Sequence, residues 1–189
     1  MHGVRHSSLS ALGRLQAHST AATLMGERFD AFYSSPAGRA LETAAAIARE
    51  VGYEPVVLEG LREMDFGWME GRRMLSSNGP GVPAMGKVKQ VLRFAAYAVA
   101  GERWSRVIRR VGASLELIVS RHPAGRVLIV PHHGTHNALL QLILRQRRIG
   151  PAMYSFAPCG ITEVEADAVG NGRLIVLNCT DHLDTKAFG

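Results

Sequence analysis

Apolar and polar positions along the first half of the chain switch between a helical and a strand period. Ser10 reads as an N-cap, and Leu12, Leu15, Ala22 and Met25 follow at helical spacing until Gly26 stops the helix. Ala31–Ser34 reads as a short strand. Ser35 then caps a second helix with Pro36 at its first position, where a missing N–H costs nothing. That helix runs through AGRALETAAAIAREV and ends at Gly52. Pro55–Leu58 reads as a strand, LREMDFGWMEG (61–71) as an ordered loop, and residues 74–86 as a Gly/Pro/Ser-rich loop.

In the second half, Val88–Ala100 and Glu102–Ser120 read as helices, the latter carrying Arg103, Arg106, Arg109 and Arg110. Val127–Val130 is a continuous apolar run, the pattern of a strand covered on both faces. Residues 136–147 place Leu139, Leu140, Ile143 and Leu144 on one helical stripe. ITEVEA (161–166) and LIVLN (174–178) flank AVGNG, which reads as a hairpin or short connection. Strands alternating with helices predict a three-layer α/β/α fold with a mostly parallel sheet and an antiparallel strand near the end. Ligands in such folds sit beyond the C-terminal ends of the parallel strands. Two strand-to-helix turns therefore matter most: YSSPAGR (33–39) and VPHHGTH (130–136).

Composition narrows the picture. With 189 residues, 47% of them hydrophobic and 20% charged, the expectation is one globular domain over residues 1–189. The 22 Lys+Arg against 16 Asp+Glu leave +6, which fits an anionic partner, either a phosphorylated small molecule or nucleic acid. The basic residues 103–110 and 145–148 come without interleaved stacking aromatics, so they read as solvated helix faces and no nucleic-acid partner is expected. Cys159 and Cys179 are too few for a disulfide framework or a four-thiolate zinc site, and are expected as two reduced thiols. The longest apolar run, Phe94–Ala100, is far short of a membrane span, and MHGVRHSSLS has no apolar export core. No membrane partner is expected, and the expected location is the cytoplasm.

Three places could carry chemistry. Arg39, near a helix N-terminus, would complement an anion with its guanidinium; the alternative is an ordinary surface arginine. His132, His133 and His136 gather around Gly134, but His-x-x-His without a nearby carboxylate or thiolate is a weak metal signal. A histidine at a helix N-terminus is better explained as a donor to an anion. Glu63, Asp65 and Glu70 lie in the loop between these turns, where one carboxylate could act as general acid or base; the alternative is a surface loop held by Phe66 and Trp68. GPGVPAMG (79–86) follows no strand and lacks a Gly-Lys-Ser/Thr ending, so it is no phosphate loop.

Together these segments resemble the histidine phosphatase superfamily in its phosphoglycerate-mutase-like branch. LSALGRLQA (9–17), YSSPAGRALETAAAIA (33–48), LREMDFGWMEG (61–71), VLIVPHHGTHNALL (127–140) and LNCTDHL (177–183) match its segments in order. The resemblance implies a phosphomonoester hydrolase acting through a phosphohistidine on a phosphorylated small molecule, without metal or other cofactor. Hydrolysis is favoured over mutase activity because the chain is compact. Carried over, Arg39 and Gly134 would bind the phosphoryl group, Glu63 would protonate the leaving oxygen, and His133 would donate to the developing charge; Asp65 is the runner-up acid.

One motif departs. The family's nucleophile lies in Arg-His-Gly, whereas here Arg5-His6 is followed by Ser7, and MHGVRHSSLS aligns better with the segment after the motif. The expectation is a chain that begins downstream of its nucleophile, with Met1 an internal methionine or the protein a natural truncation. The rival is a remodelled site using His6, and the alternative function is a non-catalytic phospho-ligand binder. The sheet is then expected to show five core strands, with a gap or a new pairing beside residues 127–131 where the family's first strand lies. A sixth strand from residues 1–6 would favour His6 instead.

Overall fold

The computed structural model describes residues 7–67, 101–146, 153–167 and 172–183. The expected helix 88–100, the loop 74–86, Glu70 and residues 1–6 lie outside them. The described elements run α1 (Ala11–Thr23), β1 (Ala31–Ser34), α2 (Gly38–Val51), β2 (Val56–Val57), a 3-10 turn (Glu59–Leu61), α3 (Trp104–Arg121), β3 (Val127–Val130), α4 (His133–Ile143), β4 (Ile161–Ala166) and β5 (Gly172–Cys179).

Local chemistry sets several of these boundaries. The Ser10 side chain accepts from Gly13 N at 3.0 Å and starts α1. Gly52 ends α2 in the left-handed region at φ 75°, where a Cβ would be strained. One expectation is corrected: α2 is capped by Ala37, two residues beyond Ser35, without a side-chain cap. Ser35 Oγ does accept from Ala37 N at 3.3 Å, but its principal partner lies elsewhere. The last helix begins at His133, three residues earlier than its apolar stripe indicated.

The three parallel strands are ordered β2–β1–β3, and β4 and β5 pair antiparallel as a separate two-stranded sheet. All five expected strands are present. Among the described residues, no strand pairs with the edge of β3 opposite β1; residues 1–6, on which the choice between a gap and a sixth strand turns, lie outside them. Alternation along β1 and β3 builds the layers. Tyr33, Val127 and Ile129 join the core made with α3 and α4, around Val107, Val111, Leu115, Ala138 and Leu139. Phe32, Leu128 and Val130 join the core made with α1 and α2, around Ala21, Leu24, Ala44 and Ile47. That is three layers, α/β/α.

The β4–β5 hairpin reaches the body through both cores, Val164 packing on one and Ile161 on the other. Hydrogen bonds add to this. His182 Nε2 lies 2.9 Å from Thr20 Oγ1 and 3.0 Å from the Cys159 carbonyl, and Ser19 donates to the His182 carbonyl. Register shifts in the hairpin bring Cys179 opposite Ile161, and Cys159 and Cys179 are both free thiols. No described helix is long and apolar enough to cross a membrane.

Candidate active site

The ladder between β1 and β3 aligns Ser34 with Val130, so both strands end at the same level. Ser35 N donates to the Val130 carbonyl at 3.1 Å, which brings the turns after the two strands side by side. Ser35 Oγ then lies 2.6 Å from His132 Nε2, with Ser35 wholly buried and His132 nearly so. Burial, and then the Arg39 and Arg110 charges, push the His132 pKa down to about 3. The ring is neutral at physiological pH, held in place by a hydroxyl, and bears no charge that must be desolvated.

Glu63 enters from the loop after the 3-10 turn. Its carboxylate accepts from Met64 N at 2.8 Å and from Gly134 N at 3.2 and 3.4 Å. It thereby serves the N-terminus of α4, whose N-cap His132 makes no side-chain cap bond. A Cβ on Gly134 would fall 2.7 Å from Glu63 Oε1, so only glycine permits this approach. Burial raises the Glu63 pKa, against the hydrogen bonds from Met64 and Gly134 and the charges of Arg39 and Arg110. A buried carboxyl with a raised pKa is a proton carrier.

Arg39, on the first turn of α2, bears electrostatically on both Glu63 and His132 and donates to Ser7 Oγ at 3.4 Å. Arg39, Glu63 and His132 therefore share one region at the C-terminal ends of the parallel strands.

The remaining sequence candidates lie differently. His133 is exposed and stands edge-on to Phe156 at 5.6 Å, while His136 stacks on the same ring at 3.9 Å. Neither has a described bond to Glu63 or Ser35; the histidine bonded to Ser35 is His132, one residue before the one the His-Gly pair indicated. Gly134 N donates to the Glu63 carboxylate. Asp65 is exposed and its carboxylate accepts from Gly67 N at 2.7 Å, a local turn. His132 turns away from His133 and His136, which share Phe156, and among the described residues no His, Cys, Asp and Glu side chains are gathered for a metal ion.

Two residues at the site were missed. Ser35 looked like a helix cap, and nothing in the sequence told that role from a bond to a histidine 97 positions away. Arg110 was read as part of a solvated face, yet its side chain is only 14% exposed and faces the Glu63 loop.

Comparison with known proteins is consistent across sequence and structure. The sequence model of the histidine phosphatase superfamily (branch 1) matches residues 1–180. The putative phosphoserine phosphatase 2 of Hydrogenobacter thermophilus is 34% identical over 143 residues, covering 72% of this chain and 66% of that relative. Bacillus stearothermophilus YhfR superposes with a TM-score of 0.78 at 25% identity, over 97% of this chain and 91% of its own. A phosphoserine phosphatase variant from Entamoeba histolytica, in complex with phosphoserine, gives a TM-score of 0.76 at 25% identity, over 97% and 90%.

Proposed function

The chain belongs to the histidine phosphatase superfamily, branch 1, and we propose that within it the protein serves as a phosphomonoester hydrolase fold whose described residues bind the phosphoryl group and supply its acid. The observation that carries this reading is geometric: beside two adjacent strand ends, buried His132 bonds to Ser35, buried Glu63 accepts from Gly134 two residues on, and Arg39 stands on the first turn of α2. Arg39 holds the phosphoryl oxygens as a bidentate donor. His132, oriented by Ser35, donates to the charge that builds on those oxygens, a role that passes to it from His133. Glu63 protonates the leaving oxygen as the P–O bond breaks, and recovers the proton from the water that hydrolyses the phosphohistidine. A phosphorylated small molecule is the substrate class. The relatives named for phosphoserine support a small phosphomonoester without selecting one.

The attacking imidazole is the open part of the reaction. The sequence contains no Arg-His-Gly triplet. The leading form of the proposal is therefore phosphate and vanadate binding by the 189-residue chain with negligible turnover. Donors without a nucleophile retain only a small residue of catalysis, roughly a thousandfold over water in serine hydrolases stripped of their triad. One observation favours a second form: Ser7, next in sequence to Arg5-His6, accepts from Arg39. That contact recommends His6 as a remodelled nucleophile.

Nitrophenyl phosphate hydrolysis by this chain and by His6→Ala separates the two. Negligible turnover with vanadate binding that Arg39→Ala abolishes supports the first form. Robust turnover lost in His6→Ala supports the second. A chain that neither binds vanadate nor turns over refutes both.

A further inference from the structure

Arg110 stands behind the site, and its five described hydrogen bonds all converge on the loop that carries Glu63 and on that loop's counter-charge. Nη1 donates to the carbonyls of Gly60 and Arg62, both at 2.7 Å, and Nη2 to the carbonyl of Glu63 at 3.3 Å. Nε and Nη2 grip the two carboxylate oxygens of Glu102, each at 2.9 Å. Arg62 grips the same carboxylate from its other side at 3.1 and 3.3 Å. The Glu102 side chain is 2% exposed, so its charge is balanced by these two guanidinium groups and not by water. Glu102 N also donates to the Asp65 carbonyl at 2.7 Å, and Thr135 Oγ1 on α4 to the Arg62 carbonyl at 2.9 Å. Backbone on both sides of Glu63 is thus nailed to α3 and α4.

A planar fork is suited to this task. Arginine presents its donors in fixed directions and stays charged, whereas lysine offers one compact ammonium that cannot span three carbonyls and a carboxylate. Glu63 needs such fixing because its carboxylate sits against Gly134 with no space for even a methyl group between them.

We propose that Arg110, locked by Glu102 and Arg62, is the positioning residue that holds the Glu63 carboxyl at the N-terminus of α4, and so sets where the leaving oxygen must arrive. This rests on the reading of Glu63 as the acid. Among the described residues, the charged or titratable groups around Glu63 are Arg39 from α2, Arg110 from α3 with its partner Glu102, Arg62 from Glu63's own loop and His132 ahead of α4. A test must therefore hold charge constant.

The test is carboxyl and amide NMR titration of the full chain with Arg110→Lys and Glu102→Asp, each of which keeps its charge and loses reach. Arg126→Lys, at the opposite pole beside Glu27, is the control. In the unaltered chain the Gly134 amide should shift in step with the Glu63 carboxyl, which titrates above the ordinary carboxylate range. In folded Arg110→Lys or Glu102→Asp, Glu63 should titrate like an exposed carboxylate and the Gly134 amide should stop following it. Arg126→Lys should change neither. Wild-type behaviour of both signals in the folded variants overturns the positioning role, since a merely structural clamp would lower the melting temperature and leave them alone. A Glu63 that already titrates as an exposed carboxylate in the unaltered chain overturns the acid reading itself. Either variant alone decides the matter if the other fails to fold.

Discussion

At the scale of single residues, the site is a problem of direction. His132 and His133 are adjacent, but consecutive residues entering a helix point about 100° apart, so one turns to Ser35 and the other to Phe156. Residue type and spacing located the turn and could not choose between the neighbours. The positions of Arg39 at the start of α2 and of Glu63 in the loop before α3 were legible from their motifs, although Asp65 and Glu70 stand beside Glu63 in the sequence. The buried histidines carry a prediction. His132 is pushed down to about 3 and His136, by burial and then by His133, to about 4. Both lie below the unfolded value near 6.5, so the unfolded chain binds protons that the fold refuses. Their contribution is complete above about pH 6.5 and is lost as pH falls toward 3, on the order of 3 kcal/mol for each ring. Glu63, raised in the fold, acts in the opposite sense and is one group against two. Melting temperature measured from pH 7 to pH 4 should therefore fall, and His136→Phe should flatten the slope. An unchanged slope would show that these rings titrate normally.

At the scale of elements, the 3-10 turn and α3 are in unusually close contact. A Cβ on Gly60 would fall 2.0 Å from Ser114 Oγ and 2.8 Å from the Arg110 carbonyl. Gly60→Ala should therefore force the turn off α3 and cost about 1–3 kcal/mol, as overpacking in a filled core does. Adding Ser114→Ala should recover only part of that loss, because the backbone carbonyl remains. Thermal unfolding of the single and double variants measures both. Helix and strand positions were largely legible, since each has a start or stop signal such as Ser10 or Gly52. What one element does to another was not: the Arg110 fork and the Gly60 contact depend on residues 48 and 54 positions apart in the chain. Helical periodicity marks a polar position and is silent on whether its partner is water or a carboxylate.

At the scale of the whole molecule, the order of the parallel strands decides which backbone is protected. β1 is bonded on both sides, to β2 and to β3, and three of its four residues are buried. β3 is bonded to β1 alone among the described residues, and all four of its residues are only partly buried. Hydrogen exchange should therefore be slower at Phe32–Ser34 than at Val127–Val130, by a factor that reflects local opening. Equal protection would mean that something covers the second edge of β3. The apolar run of β3 predicted a strand sheathed on both faces and did so correctly in kind, since its alternate residues meet different cores. The degree of sheathing is a property of its neighbours and cannot be read from the run.

The hairpin of β4 and β5 shares no ladder with the parallel sheet among the described residues, and is fastened through Thr20, His182 and two apolar side chains. A backbone ladder tolerates almost any residue, because its bonds are made by groups every residue owns. A side-chain clasp does not. Substitution of Thr20 or His182 would therefore loosen the hairpin while leaving both sheets intact.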